Sequence, residues 1–216
     1  MTLRAIVFDV GETLVDETRV WSAWADWLGI PRLTFLAVCG ASIAGGNLDH
    51  RAPLWIFRPD LDLGEELRKR EAAGVGDRIT TDDLYPDAIP CLRTLHAAGY
   101  RIGVVGNQPA RAEGALAALG LPLDFAASSE RWGVEKPDPR FFERIATELD
   151  LPPGEIAYVG DRVDNDVRPA AAIGMRAIFV RRGPWAWIQS PLDDPPEAAL
   201  TVKSLAELPA ALARLD

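Results

Sequence analysis

Histidine and cysteine are scarce in this 216-residue chain, with two of each. His50 and His96 are too few for a His-rich zinc centre, and Cys39 and Cys91 form no Cys-x-x-Cys pair that would substitute. The two cysteines lie in apolar-periodic surroundings and fit a reduced, cytoplasmic compartment. Basic clusters are missing as well. The longest, Arg68 to Arg70, lies beside Glu65, Glu66 and Glu71 and reads as a solvated helix face. With 32 acidic against 23 basic residues, a net charge of −9, the chain is expected to bind neither nucleic acid nor anionic membrane. No run reaches the ~18 uninterrupted apolar residues of a membrane span, and the apolar start is too short for a signal peptide and stops at Asp9. Neither a G-x-S-x-G nucleophile elbow nor a G-x-G-x-x-G dinucleotide loop occurs.

What is present is an ordinary core composition, 48% hydrophobic and 25% charged, in a length beyond one typical domain and short of two. Leu3 to Phe8, apolar but for Arg4, is a short run closed by Asp9, the pattern of a strand covered on both faces. Residues 101–105, 155–159 and 176–180 repeat it. Between them lie helical patterns over Pro86–Ala98, Ala110–Leu119, Pro139–Leu149 with Asp138 as N-cap, and Val163–Ile173. A Ser204/Glu207 capping box opens a last one. Alternation of this kind predicts an α/β fold with a Rossmann-like, doubly wound parallel sheet, whose ligands bind at the strand C-terminal ends. Residues 16–83 interrupt the rhythm with helical patterns near 18–28, 32–44 and 62–73. Trp21, Trp24 and Trp27 paint one face of the first, to pack against the next helix or to wall a substrate site.

Three segments carry candidate chemistry. Asp9-Val10-Gly11-Glu12-Thr13 follows the first strand and places a carboxylate at its C-terminal edge, with Gly11 permitting a tight turn. Lys136-Pro137-Asp138-Pro139 holds an ammonium just before a helix, where it can pair with Asp9 and neutralise a phosphoryl group, or simply cap a turn. Gly160-Asp161 and Asp166 bring two carboxylates around the turn after a third strand. Clustered oxygen ligands without His or Cys suit a hard cation such as Mg2+.

Together, in this order and in these strand contexts, the three segments resemble the haloacid dehalogenase (HAD) superfamily of phosphohydrolases. The resemblance implies a core of residues 1–14 and 84–216, with residues 16–83 as a small α-helical cap inserted after the first strand. It implies Asp9 as the nucleophile that forms an aspartyl-phosphate and Lys136 as the residue that orients it. Mg2+ would be held by Asp9, the main-chain carbonyl of Gly11 and Asp161, with Asp166 in support. The phosphoryl group of a small phosphorylated metabolite would be contacted from Thr13, Gly106 and Asn107, with Arg162 as a further cation.

The sequence departs from the family pattern at two places. The second Asp, which serves as acid and base in the phosphatases, is Gly11 here, and the Ser or Thr after the next core strand is Gly106. Loss of general acid–base catalysis typically costs ~10²–10⁴-fold, so slow turnover is expected. Two alternatives follow: a catalytically degraded family member that binds a phosphorylated ligand or a protein partner, and a 2-haloacid dehalogenase. His50 is read as exposed or capping, with a part in proton transfer as the alternative, and His96 as structural. For Trp185 and Trp187 core packing is favoured over lining the active-site mouth.

Overall fold

A computed structural model describes residues 2–47 and 49–214. Among them, six strands form one parallel sheet in the order β3-β2-β1-β4-β5-β6: β1 (Ala5–Phe8), β2 (Arg101–Gly106), β3 (Phe125–Ser128), β4 (Ile156–Gly160), β5 (Arg176–Val180) and β6 (Leu200–Val202). This is a doubly wound order, in which the sheet reverses direction beside its first strand and opens a crevice at the carboxyl ends. β1 is fully buried, as its unbroken apolar run requires, and is paired with β2 on one side and β4 on the other. Phe8 is level with Val159 of β4, so the loops leaving these two strands, which start with Asp9 and Asp161, meet at that crevice.

The helices are α1 (Thr18–Leu28), α2 (Arg32–Ala44), α3 (Ala52–Phe57), α4 (Leu63–Ala72), α5 (Ala88–Ala97), α6 (Arg111–Ala118), α7 (Ser129–Trp132), α8 (Pro139–Leu149), α9 (Arg168–Ala172), α10 (Gly183–Gln189) and α11 (Leu208–Leu212). α8 has the termini its sequence signals: Pro139 occupies the first turn, and the Asp138 side chain accepts from Arg140 N. Its apolar face, including Phe141, Phe142 and Ile145, joins the core that lies against the sheet. The expected helix over 163–173 instead opens with a π-helical turn, Val163–Val167, before α9. The Ser204 capping box is absent: the Ser204 side chain makes no cap bond and Glu207 reaches one residue further, to Lys203 N. The box forms at Thr80/Asp83.

The chain divides into two compact units, residues 1–16 with 80–216 and residues 17–79. Asp16 and residues 80–83 fall with the larger unit because the two connecting segments zip together there. Asp16 N donates to Asp83 O (2.8 Å), Val15 and Leu84 form an antiparallel bridge, and Tyr85 N donates to Leu14 O (2.9 Å). The smaller unit holds α1 to α4 around Trp24, Ala25, Leu28, Phe35 and Leu54. Its tryptophans are taken up by that packing. Trp21 stacks on Phe35, Trp24 lies under the Arg70 guanidinium at 3.9 Å and donates to Asp77, and Trp27 donates to Glu66. No single helix among the described residues is long and apolar enough to cross a membrane.

Candidate active site

Asp9 stays in register with the sheet through its amide, which donates to Val159 O (2.9 Å). Its carboxylate receives Lys136, whose Nζ lies 2.7 Å from Asp9 Oδ1 and 2.6 Å from Asp166 Oδ1. All three groups are buried. Lys136 is held at the backbone rather than by its side chain alone: Asn107 Nδ2 donates to Lys136 O (2.9 Å) and Lys136 N donates to Asn107 Oδ1 (2.8 Å). The following peptide, Lys136–Pro137, is cis. Asp166 is fixed from its other oxygen, which accepts from Arg162 N (3.0 Å). Its position also depends on Gly160, where an added Cβ would stand 2.4 Å from Asp166 Cγ.

Asp161 completes the group. One oxygen from each of Asp9, Asp161 and Asp166 lies within 4.8 Å of the others, and Asp161 Oδ2 is buried with no hydrogen-bond partner among the described residues. Leaving a buried acceptor unpaired costs on the order of 1–3 kcal/mol, so this oxygen is poised for a cation rather than satisfied by the fold. One ammonium against three carboxylates leaves the cluster short of positive charge, and proton affinities follow. Burial, then Asp166, Asp9 and Glu12, push the Asp161 carboxyl well above its ordinary range. Burial, only partly offset by Lys136, leaves Asp166 raised to about 6. For Lys136, burial acts to lower the value, but the Asp166 and Asp9 carboxylates outweigh it and hold the ammonium well above the ordinary lysine range. The donors are all hard oxygens, and the deficit is positive charge, which is what a Mg2+ ion supplies.

Asp9, Lys136, Asp161 and Asp166 are thus brought together, with Gly11 two residues beyond Asp9 in a bridge to Val15. The other expected residues are placed as follows. Thr13 is fully buried, and its Oγ1 has no hydrogen-bond partner among the described residues. Its amide, with those of Leu14 and Val15, turns back to Val10 O and builds the tight turn. Asn107 spends its side-chain carbonyl and an N–H on the Lys136 backbone, so it positions the lysine. Gly106 does lie at the nucleophile, where an added Cβ would be 2.8 Å from Asp9 Oδ1. Arg162 is committed elsewhere: its guanidinium stacks 3.6 Å above Trp185 and pairs with Asp164 (2.7 Å). Trp185 is accordingly buried, whereas Trp187 is 56% exposed. His96 faces solvent at the end of α5, and His50 sits edge-on to Trp21 at 5.6 Å.

Glu12 enters the site's surroundings unexpectedly. It is buried, adopts a left-handed backbone (φ 52°), and accepts from Tyr85 OH (2.6 Å). Burial and the Glu12 carboxylate both push the Tyr85 hydroxyl upward in pKa, so it remains a donor. Arg182 closes the group, with its guanidinium 4.2 Å from the Tyr85 ring centre and paired to Asp87 (2.6 Å). Residues 84–88 carry no sequence signal for this role, because their partners lie about 70 to 120 positions away in the chain.

The haloacid dehalogenase-like hydrolase family model matches residues 3–174. The chain is similar to glyceraldehyde 3-phosphate phosphatase of Methanopyrus kandleri, 39% identical over 113 residues that make up 51% of this chain and 48% of the relative. It therefore spans about half the length of that protein. A phosphatase of Mycobacterium tuberculosis is 36% identical over 194 residues, 84% of this chain and 89% of the relative. Among solved structures, a HAD phosphatase from Thermococcus onnurineus superposes with a TM-score of 0.62 at 25% identity, over 97% of this chain and 98% of that one. With its doubly wound sheet, the carboxylate–lysine cluster at the carboxyl ends and these matches, the chain belongs to the haloacid dehalogenase-like hydrolase family.

Proposed function

We propose that the protein hydrolyses the phosphoric monoester of a small phosphorylated metabolite through phosphorylation of Asp9. The observation that carries this reading is the buried cluster of Asp9, Lys136, Asp161 and Asp166, a nucleophilic carboxylate held by an ammonium beside an unpaired oxygen ligand. In the first step an Asp9 oxygen bonds to phosphorus, the bond to the leaving oxygen breaks, and that oxygen takes a proton from water. In the second, water bonds to phosphorus, the bond to Asp9 breaks, and inorganic phosphate leaves with the carboxylate restored. Lys136 orients Asp9 and offsets its charge as the dianionic phosphoryl group approaches. Asp9, Asp161, Asp166 and the Gly11 carbonyl would hold Mg2+, which when bound stabilises charge on the transferring group. Residues 17–79 would act as the family's cap, and the two free thiols, Cys39 and Cys91, suit a cytoplasmic setting.

Gly11 offers no side chain to protonate the leaving group, so rates should follow the intrinsic leaving ability of the alcohol. Aryl phosphates are expected to turn over faster than alkyl phosphates. A panel of phosphomonoesters assayed with and without Mg2+, against Asp9→Asn, tests the proposal: metal-dependent turnover lost in the variant supports it, and no turnover above the variant on any substrate refutes it. The missing carboxylate at position 11 also favours a second reading, a 2-haloacid dehalogenase. Chloride release from 2-chloropropionate without metal would establish that one.

A further inference from the structure

The segment that leaves β4 carries two of the proposed metal ligands, Asp161 and Asp166, and between them it leans on α10. Val163–Val167 is a single π-helical turn, and the first amides of a helix have no acceptor within it. Val163 N donates instead to Gln189 Oε1 (2.8 Å), while Gln189 Nε2 donates to Asp164 Oδ1 (2.7 Å). One side-chain amide thus holds two successive residues of the segment. Arg162 ties the same stretch to the same helix, since its guanidinium pairs with Asp164 (2.7 Å) and lies 3.6 Å above the Trp185 ring. α10 is itself seated: Ala186 is fully buried in the core, and Ser190 N donates to Ala186 O (3.0 Å), closing the turn that presents Gln189.

The two ligands are held unequally. Asp166 is fixed through both oxygens, by Lys136 Nζ and by Arg162 N, whereas Asp161 Oδ2 is buried with no hydrogen-bond partner among the described residues. The place of that oxygen follows from the course of the backbone, and Val163 N, two residues on, is anchored by Gln189. Mg2+ demands near-ideal octahedral geometry, so freedom of a ligand is read out as lost affinity. We infer that Gln189 is a positioning residue for the metal site: by holding Val163 and Asp164 it fixes the segment between Asp161 and Asp166 and sets the affinity for Mg2+. The assignment rests on the reading of the carboxylate cluster as a Mg2+ site. It goes beyond that reading in reaching a residue outside the three motifs and outside the span 3–174 matched by the family model.

The test titrates Mg2+ by calorimetry, which needs no turnover, into metal-stripped parent, Gln189→Met, Gln189→Ser and Trp187→Ala, and records Tm without metal alongside. Trp187, 56% exposed on the same helix, is the control. Methionine keeps the length of the side chain and removes both bonds; serine leaves room for water to take them, which satisfies the groups without fixing them. Loss of a group that orients metal ligands typically costs about 10–100-fold in affinity, and Gln189 acts through the backbone, so a rise of about 10-fold in the Mg2+ dissociation constant is expected for both Gln189 variants. Trp187→Ala should stay within about twofold of the parent. A constant within about twofold of the parent in either Gln189 variant that melts cooperatively overturns the role of Gln189, whatever its Tm, and leaves the metal site standing. A rise of the same size in Trp187→Ala overturns it as well, because affinity then follows the helix and not the amide. If the parent itself binds no Mg2+, the metal reading fails and the role of Gln189 falls with it.

Discussion

Lys136→Met isolates the electrostatics of the candidate site from its shape. At an effective dielectric of 20, each contact of Nζ with Asp9 and Asp166, at 2.7 and 2.6 Å, is worth about 6 kcal/mol of direct attraction. Much of this is offset by the desolvation of a side chain that is 1% exposed, and methionine replaces most of its volume. What remains is the cost of leaving buried carboxylates unpaired, about 3–5 kcal/mol when one partner of such a pair is removed. For a chain of this length that corresponds to a fall in Tm of roughly 6–20 °C. The sign with pH follows from linkage. Asp166 stands at about 6 with the Lys136 ammonium already lowering it, and removing Lys136 raises it further, so the native state of the variant holds protons that the unfolded chain releases near pH 4. Its stability therefore falls as pH rises, and the variant should lose more at pH 8 than at pH 5. Urea unfolding of parent and variant in EDTA at both pH values measures this. A loss under 1 kcal/mol at pH 8, or one equal at the two pH values, would refute the assignment of Lys136 as counter-ion to the buried cluster.

Four further outcomes are expected. Mg2+ should raise Tm by relieving the Asp161 and Asp166 charges, and more at pH 8 than at pH 5, where Asp166 is protonated and competes with the ion. A thermal melt with and without the ion reads this, and a shift that survives Asp161→Asn would count against the site. Gly160→Ala must displace Asp166, whose Cγ would lie 2.4 Å from the new methyl group; a loss of about 1–3 kcal/mol and of Mg2+-dependent turnover should follow, seen by melting and assay. Tyr85→Phe removes a donor to the buried Glu12 carboxylate and should cost about 1–3 kcal/mol in urea unfolding. Asn107→Ala frees the Lys136 backbone, and kcat should fall more than KM rises in steady-state assays, an unchanged kcat counting against the clamp.

Much of the fold could be read without coordinates. Within Leu3 to Phe8 and residues 155–159 and 176–180, the stretches 5–8, 156–159 and 177–180 are free of charged residues, and each is a buried strand to within two residues, because a strand covered on both faces has few polar positions to confuse its pattern. Asp138 and Pro139 marked the start of α8 because caps act locally. β3, with two of its four residues only half-buried, and β6, of three residues, carried too little periodicity to be seen.

The amino-acid order by itself determined the fold class, the acidic character and the identities of Asp9, Lys136, Asp161 and Asp166, since each follows from patterns a few residues wide. Only the tertiary structure decided what those residues do to one another. It clamped the Asn107 side chain onto the Lys136 backbone, buried Thr13, and drew Arg162 onto Trp185 and Asp164. The physical reason is distance along the chain. Hydrogen bonds and ion pairs between residues some 30 positions apart depend on strand register and loop course, which no local pattern encodes.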